Sequence, residues 1–188
     1  MTSPLHFAQP TNNRLENQTN NDLIREFFQF TEGQWRSERR YYTLPSGPTQ
    51  ELVSLVTVEF LAPGHPELFK LGALHQLSPA ESEALCGSKV WWVSRDAVTD
   101  RKKSKGSTVF GALGDILYRD RGFATPKPVT AKFYLPNAQT LCLRTEYNGS
   151  VFEEEIKHIG QQYRTRQSII SRAGEQVMIG QYLEKRIQ

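Results

Sequence analysis

Cysteine is nearly absent from this chain: its 188 residues include two. Cys86 and Cys142 show no metal-type spacing, so neither a disulfide framework nor a zinc site is implied, and a reducing cytosol is the default compartment. Long apolar runs are missing as well. No stretch reaches the length of a membrane span, and the N-terminal residues contain no apolar signal core, which reads as a soluble, unprocessed protein. One-sided charge is also lacking, with a formal net charge of +3 and a pI near 8.9. A single basic run, Arg101-Lys102-Lys103-Ser104-Lys105, stands out between two strand-like segments. It has no interleaved aromatics and is expected to be a solvated loop tip rather than a nucleic-acid arm. There is no internal repeat and almost no spacing that suits βαβ units.

A hydrophobic content of 38% with 11% aromatics is enough for the core of one domain. Residues 1 to about 20 are rich in Asn, Gln, Thr and Pro and read as a flexible extension, leaving 21–188 as a single domain. Asn21-Asp22 offers an N-cap for a short helix in which Leu23, Ile24, Phe27, Phe28 and Phe30 recur at helical spacing, and Gly33 stops it. From 34 to 44 the period changes to two, with polar side chains on both faces, a pattern that suits a barrel with a hydrated interior. Residues 52–61 are strongly β-branched and should form a central strand. A helical insertion follows over 64–86, with capping-box spacing at Ser78-Pro79-Ala80-Glu81, and is a candidate lid. Strands resume at 89–94, 107–113, 117–123 and 129–135, then in a meander over 139–171 and a closing strand over 176–187. That makes about ten.

The meander is the most informative stretch. Asn148-Gly149 is a strong hairpin signal, because a type I′ turn needs positive φ at both central residues. With a second two-residue turn at Gly160-Gln161, Arg144 lies opposite Glu153, Glu155 opposite Arg166, Glu153 opposite Ser168 and Lys157 opposite Arg164. One face then gathers Arg144, Glu146, Glu153, Glu155, Lys157, Arg164, Arg166 and Ser168. The other gathers Leu143, Tyr147, Phe152, Ile156, Tyr163 and Ile169. Two readings stand side by side: the charged face is solvated and pairs its own ions, or it lines the wet lumen of a barrel that binds an anionic ligand.

A helix followed by Gly33-Gln34-Trp35 at the head of such a meander is similar to the calycin arrangement of lipocalins and fatty-acid-binding proteins. The fold expected is all-β: a ten-stranded antiparallel up-and-down barrel with an N-terminal helix and a short helical insertion. Further landmarks follow in order: Gly33-Gln34-Trp35-Arg36-Ser37-Glu38-Arg39, Leu85-Cys86-Gly87-Ser88-Lys89 before Trp92, Gly106-Ser107-Thr108-Val109 and Arg121-Gly122-Phe123-Ala124. They continue with Leu143-Arg144-Thr145-Glu146-Tyr147, Glu153-Glu154, Arg164-x-Arg166-x-Ser168 and Glu184-x-Arg186. Taken together, from about Asp22 to Ile187, the chain resembles the S-type (CpcS/CpeS) phycobiliprotein lyases of cyanobacteria and related plastids.

That resemblance implies a lyase that binds a linear tetrapyrrole and attaches it to a phycobiliprotein cysteine through a thioether. Arg164, Arg166 and an acidic residue at Glu153 or Glu154 are expected to face the bilin, with Glu153 placed first. The two propionates of a bilin suit Arg39, Arg164 and Arg166. Its conjugated rings suit Trp35 and Trp92, and Arg144 and Ser168 complete the expected site. Trp35 is equally readable as a barrel-end plug. No metal, nucleotide or prosthetic group is implied. The bilin, phycocyanobilin or phycoerythrobilin, is bound as substrate. The partners implied are a phycobiliprotein apo-subunit and a second S-type chain in a homodimer or heterodimer, in a cyanobacterial cytosol or a plastid stroma. Where the family usually has acidic-acidic-Arg-x-Trp, this chain has Glu153-Glu154-Glu155-Ile156-Lys157. The departure implies a pocket short of one aromatic wall and one positive charge, with weaker bilin binding by this chain alone. Two other roles are compatible with the sequence: a non-catalytic bilin-binding or partner subunit, and a carrier of the fatty-acid-binding kind.

Overall fold

The structure, a computed structural model, describes residues 19–187. The expected extension over 1–20 lies outside them except for Thr19 and Asn20, which begin the first helix. Helix α1 (Asn20–Thr31) starts earlier than Asn21-Asp22 suggested, because Thr19 accepts the Asp22 amide at its hydroxyl and donates that hydroxyl to the Asp22 carboxylate. This satisfies a free N-terminal amide and places a negative charge in the first turn.

Ten strands follow: β1 (Gly33–Thr43), β2 (Thr49–Leu61), β3 (Cys86–Asp96), β4 (Lys102–Leu113), β5 (Ile116–Arg119), β6 (Val129–Asn137), β7 (Thr140–Tyr147), β8 (Ser150–Ile159), β9 (Tyr163–Arg172) and β10 (Glu175–Arg186). Each pairs antiparallel with its sequence neighbours, and β1 pairs β10, so the sheet closes on itself and leaves no open edge. The fold is the closed antiparallel barrel with an N-terminal helix and a short helical insertion that the period-two pattern predicts.

Connections alternate between the two ends. One end carries α1, whose buried Ile24, Phe27 and Phe28 join Cys86, Ala112, Leu117, Ala131, Phe133, Leu141 and Leu143 in the main apolar cluster. Burying each large side chain of that stripe contributes roughly 1.5–3 kcal/mol, which holds the helix in the barrel end as a stopper. The opposite end is ringed by the β1–β2, β3–β4, β5–β6, β7–β8 and β9–β10 connections and remains the mouth.

The insertion consists of α2 (Pro66–Leu74) and α3 (Pro79–Ala84), the latter with the expected Ser78–Glu81 capping box. It is not a lid. Leu68 and Leu71 pack with Leu61, Leu85 and Val109, so the helices cover the outer wall beside the stoppered end, where their apolar stripe finds a dry surface. The basic run also differs from expectation: Lys102 to Lys105 open β4, because β3 satisfies their backbone and Asp96 takes the Lys103 ammonium at 3.5 Å. β5 is shorter than expected and stops at Arg119, and Gly122 then donates to the Thr125 carbonyl in a tight turn.

In the meander the first turn is as expected. Asn148 and Gly149 both have positive φ, and Arg144 faces Glu153 across β7 and β8. The second turn holds three residues rather than two, since Ile159 pairs Tyr163. The register on β9 therefore slips by one: Glu154 faces Ser168, Ile156 faces Arg166, Lys157 faces Thr165 and His158 faces Arg164. With a side-chain period of two, one residue of slip moves a whole set to the other wall.

Candidate functional site

The lumen holds a cavity of about 460 Å³, floored by Phe27, Phe28 and Thr31 of α1 and open toward Lys105, Arg121 and Phe123 at the mouth. This is within the range that takes a drug-sized ligand. Its walls are mixed: Val56, Val58, Val90, Trp92, Leu143 and Phe152 supply apolar surface, and arginines and hydroxyls supply the rest. Gly106 sits against the Trp92 ring so closely that an added Cβ would lie 2.6 Å from it. The missing side chain is what leaves room for the indole there.

Charge inside is one-sided. Arg39, Lys105, Arg119, Arg121, Arg164 and Arg166 line the cavity against two carboxylates, Glu154 and Glu184. His158, at the base, is neutral at physiological pH, because burial and the nearby Arg164 and Arg186 push its imidazole down to about 4. The described lining therefore carries an excess of four positive charges, a strong field in a low-dielectric space.

Two ion pairs organise these groups. Arg164 donates to Glu184, directly opposite on β10. Burial opposes ionisation of Glu184, but Arg164 and the Ser37 hydroxyl outweigh it and hold the carboxyl below its usual range. Arg166 donates to Glu154, whose other oxygen lies 3.8 Å from Arg119. Burial alone would lower Arg166, and the carboxylate reverses this and raises it. Tyr182 stands between Arg39 and Arg166, whose guanidinium carbons lie 5.4 and 5.2 Å from its ring. Burial lifts its phenol to about 12, against the pull of Arg166, so the hydroxyl keeps its proton at neutral pH.

Comparison with known proteins is decisive for descent. A family model described as CpeS-like protein matches residues 23–187. The chain belongs to the CpeS-like family. It is 65% identical over 165 residues to "Putative phycocyanobilin lyase CpcS 2" of Nostoc sp., covering 87% of this chain and 91% of that one. It is 48% identical over 162 residues to "Putative chromophore lyase CpcV" of Picosynechococcus sp., covering 86% and 80%. Among solved structures, the S-type phycobiliprotein lyase CPES from Guillardia theta superposes with a TM-score of 0.72 at 23% identity, covering 88% of this chain and 93% of that one. This last likeness concerns the fold.

Within this CpeS-like barrel the expected site residues separate into three groups. Arg39, Trp92, Arg164, Arg166 and Ser168 line the lumen together. Glu153 and Arg144 do not: they pair with each other at 2.8 Å on the outer wall, each about half exposed. The luminal acid is Glu154, because residues of β8 alternate and Phe152 and His158 share its inward face. Trp35 is fully buried in the stoppered end, as the plug reading has it. Its ring lies 4.4 Å from the Arg164 guanidinium and 4.3 Å from that of Arg186, and its Nε1 donates to the Thr31 carbonyl. Glu155 and Lys157 are exposed on the outer wall, so the departure from the family pattern leaves the cavity untouched and Lys157 does not oppose Arg164.

Arg119, Tyr182 and Glu184 also line the cavity, with His158 buried at its base, without having been singled out for it. Arg119 was legible in principle. It follows Leu117 by two on a short strand, so it must share the inward face of that buried leucine.

Proposed function

We propose that the chain is a chromophore lyase that binds a linear tetrapyrrole in this lumen and delivers it to a cysteine of a phycobiliprotein subunit. The observation that carries the reading is the excess of positive charge on a cavity walled by Trp92 and Phe152. A bilin matches both features, since it joins two propionates to an extended conjugated chain. A fatty acid brings one carboxylate and needs neither the ring surface nor the remaining cations.

The work of the protein is positioning. Glu154, held by Arg166, supplies an acceptor for pyrrole N–H groups. Arg39 supplies charge-assisted donors to a propionate, its Nε being occupied by Ser37 at 3.0 Å. The stoppered end admits no second reactant, so the bilin presents its ring A ethylidene at the mouth, where the acceptor thiolate arrives. The C–S bond forms as the ethylidene π bond breaks, and its electron pair takes up a proton on the bilin. Orientation and the surrounding field are the contributions of the lyase, and the nucleophile is the acceptor's own.

Lys157 and Glu155 lie outside the cavity, which removes the sequence motive for an incomplete pocket, so an autonomous lyase is favoured over a partner subunit. The setting is a cyanobacterial cytosol or a plastid stroma; among the described residues no helix is long and apolar enough to cross a membrane. Co-expression with a bilin-synthesis pathway and candidate acceptor subunits, followed by in-gel bilin fluorescence, tests the reading. Fluorescent acceptor that depends on this chain is expected. An acceptor chromophorylated equally without it would overturn the lyase assignment.

A further inference from the structure

We infer that Arg119 is a dedicated carboxylate anchor of the lumen, receiving one propionate of the ligand, an inference that rests on the bilin reading above. Arg119 ends β5 and is 5% exposed, and its ion pair to Glu154 is longer than a hydrogen bond. Its Nε is buried without a partner. The nearest carboxylate oxygen, on Glu154, is 3.8 Å away, and the other oxygen of that carboxylate is held by Arg166. Asp120, next in sequence, is spent on the Thr108 hydroxyl at 2.7 Å and the Val109 amide at 3.1 Å.

The other luminal arginines, of which Arg164 is buried and Arg39 and Arg166 are half-buried, hydrogen-bond directly to a partner. Arg164 donates to Glu184, Arg166 to Glu154 and Arg39 to Ser37. Arg119 has instead one long ion pair, to Glu154 at 3.8 Å, and an Nε without a partner, a lack that Arg166 shares at its own Nε. A desolvated guanidinium short of acceptors is costly, and the structure spends further contacts on keeping it in place. The Phe110 ring lies 4.9 Å from its guanidinium carbon and the Phe123 ring 4.4 Å, so two aromatic rings pack on the guanidinium. Packing a planar fork at a cavity wall, with its Nε unpartnered and its one carboxylate contact long, presets it for a bidentate carboxylate. A ligand carboxylate there would also relieve Glu154 of its second cation and leave that oxygen free for a pyrrole N–H.

The test compares phycocyanobilin with its dimethyl ester, in which both propionates are neutral, by absorption titration of the purified full chain. Wild type is expected to prefer the diacid, and Arg119→Gln to lose about tenfold of that preference while its affinity for the diester changes by less than about twofold. Arg119→Lys keeps the charge without the fork, is the more conservative change for folding, and is expected to lose several-fold. Circular dichroism establishes that each variant is folded. A folded Arg119→Gln or Arg119→Lys with the wild-type preference overturns the inference and leaves the bilin reading standing, as does a wild type that binds acid and ester equally. A wild type that binds neither overturns both.

Discussion

Glu184 and Arg164 face each other directly across β10 and β9 and pair inside the barrel, with the guanidinium stacked 4.4 Å above the Trp35 ring. Glu184 is 1% exposed and Arg164 7%. Removing one partner strands the other charge in a dry layer. Arg164→Met should therefore destabilise the fold by about 3–5 kcal/mol, and adding Glu184→Gln should recover much of the loss. Chemical denaturation of the two variants decides this. A double variant no more stable than the single one would show that stacking on Trp35, rather than the ion pair, is what Arg164 provides.

Glu154 and Glu153 are adjacent in sequence and on opposite walls. Glu154→Gln should cut bilin transfer to an acceptor by about tenfold or more, because it breaks the charge-assisted bond to Arg166. Glu153→Gln removes an exposed pair with Arg144, worth no more than about 1 kcal/mol. It should leave transfer within about twofold. Equal losses would show that the inward face of β8 has been misassigned.

His158 links stability to pH. The Thr31 hydroxyl donates to the Phe27 carbonyl at 2.7 Å, so it accepts from His158 Nε2–H at 2.9 Å, which leaves Nδ1 as the unpartnered site of protonation. The groups facing the ring are Arg164, Arg186 and Glu184 from β9 and β10, and the two cations oppose a third. The folded-state value of about 4 lies below the ordinary 6.5, so the unfolded chain binds the proton more readily. The contribution of His158 is thus full above pH 6.5 and is lost as pH falls through about 4. It amounts to at most about 3 kcal/mol. Denaturation midpoints of wild type should drop across that window, and those of His158→Gln should drop less.

Trp92 depends on Gly106 for its place. Gly106→Val should push the indole into the lumen and weaken bilin binding by about tenfold, with little change in the pH dependence of stability. Absorption titration reports the binding. Unchanged affinity would mean that Trp92 is not a wall of the ligand site.

Lys157 offers the complementary control. Because its side chain is exposed on the outer wall, Lys157→Trp should change bilin affinity by less than about twofold. A marked gain would revive the view that this position completes the pocket in relatives.

Much of this molecule was legible along the chain. Period-two alternation with short connections predicts ten strands, the Asn148-Gly149 turn pairs Arg144 with Glu153, and the ordered landmarks from Trp35 to Arg186 point to the right family. These are local properties, set by backbone sterics and by which residues repeat on a face. What the chain alone did not decide is which face looks inward on β8 and β9. That choice turned on one residue in the loop between them: Gly160, Gln161 and Gln162 make a three-residue connection, and the extra residue carries Arg164 and Arg166 to the wall shared with Glu154. Closure of the barrel then fixed the rest. It brought Glu184 from the last strand against Arg164, laid the Phe110 and Phe123 rings over Arg119, and sealed Trp35 under α1. Those contacts join segments far apart in sequence, and they exist only once every strand has found its neighbour and the sheet has closed.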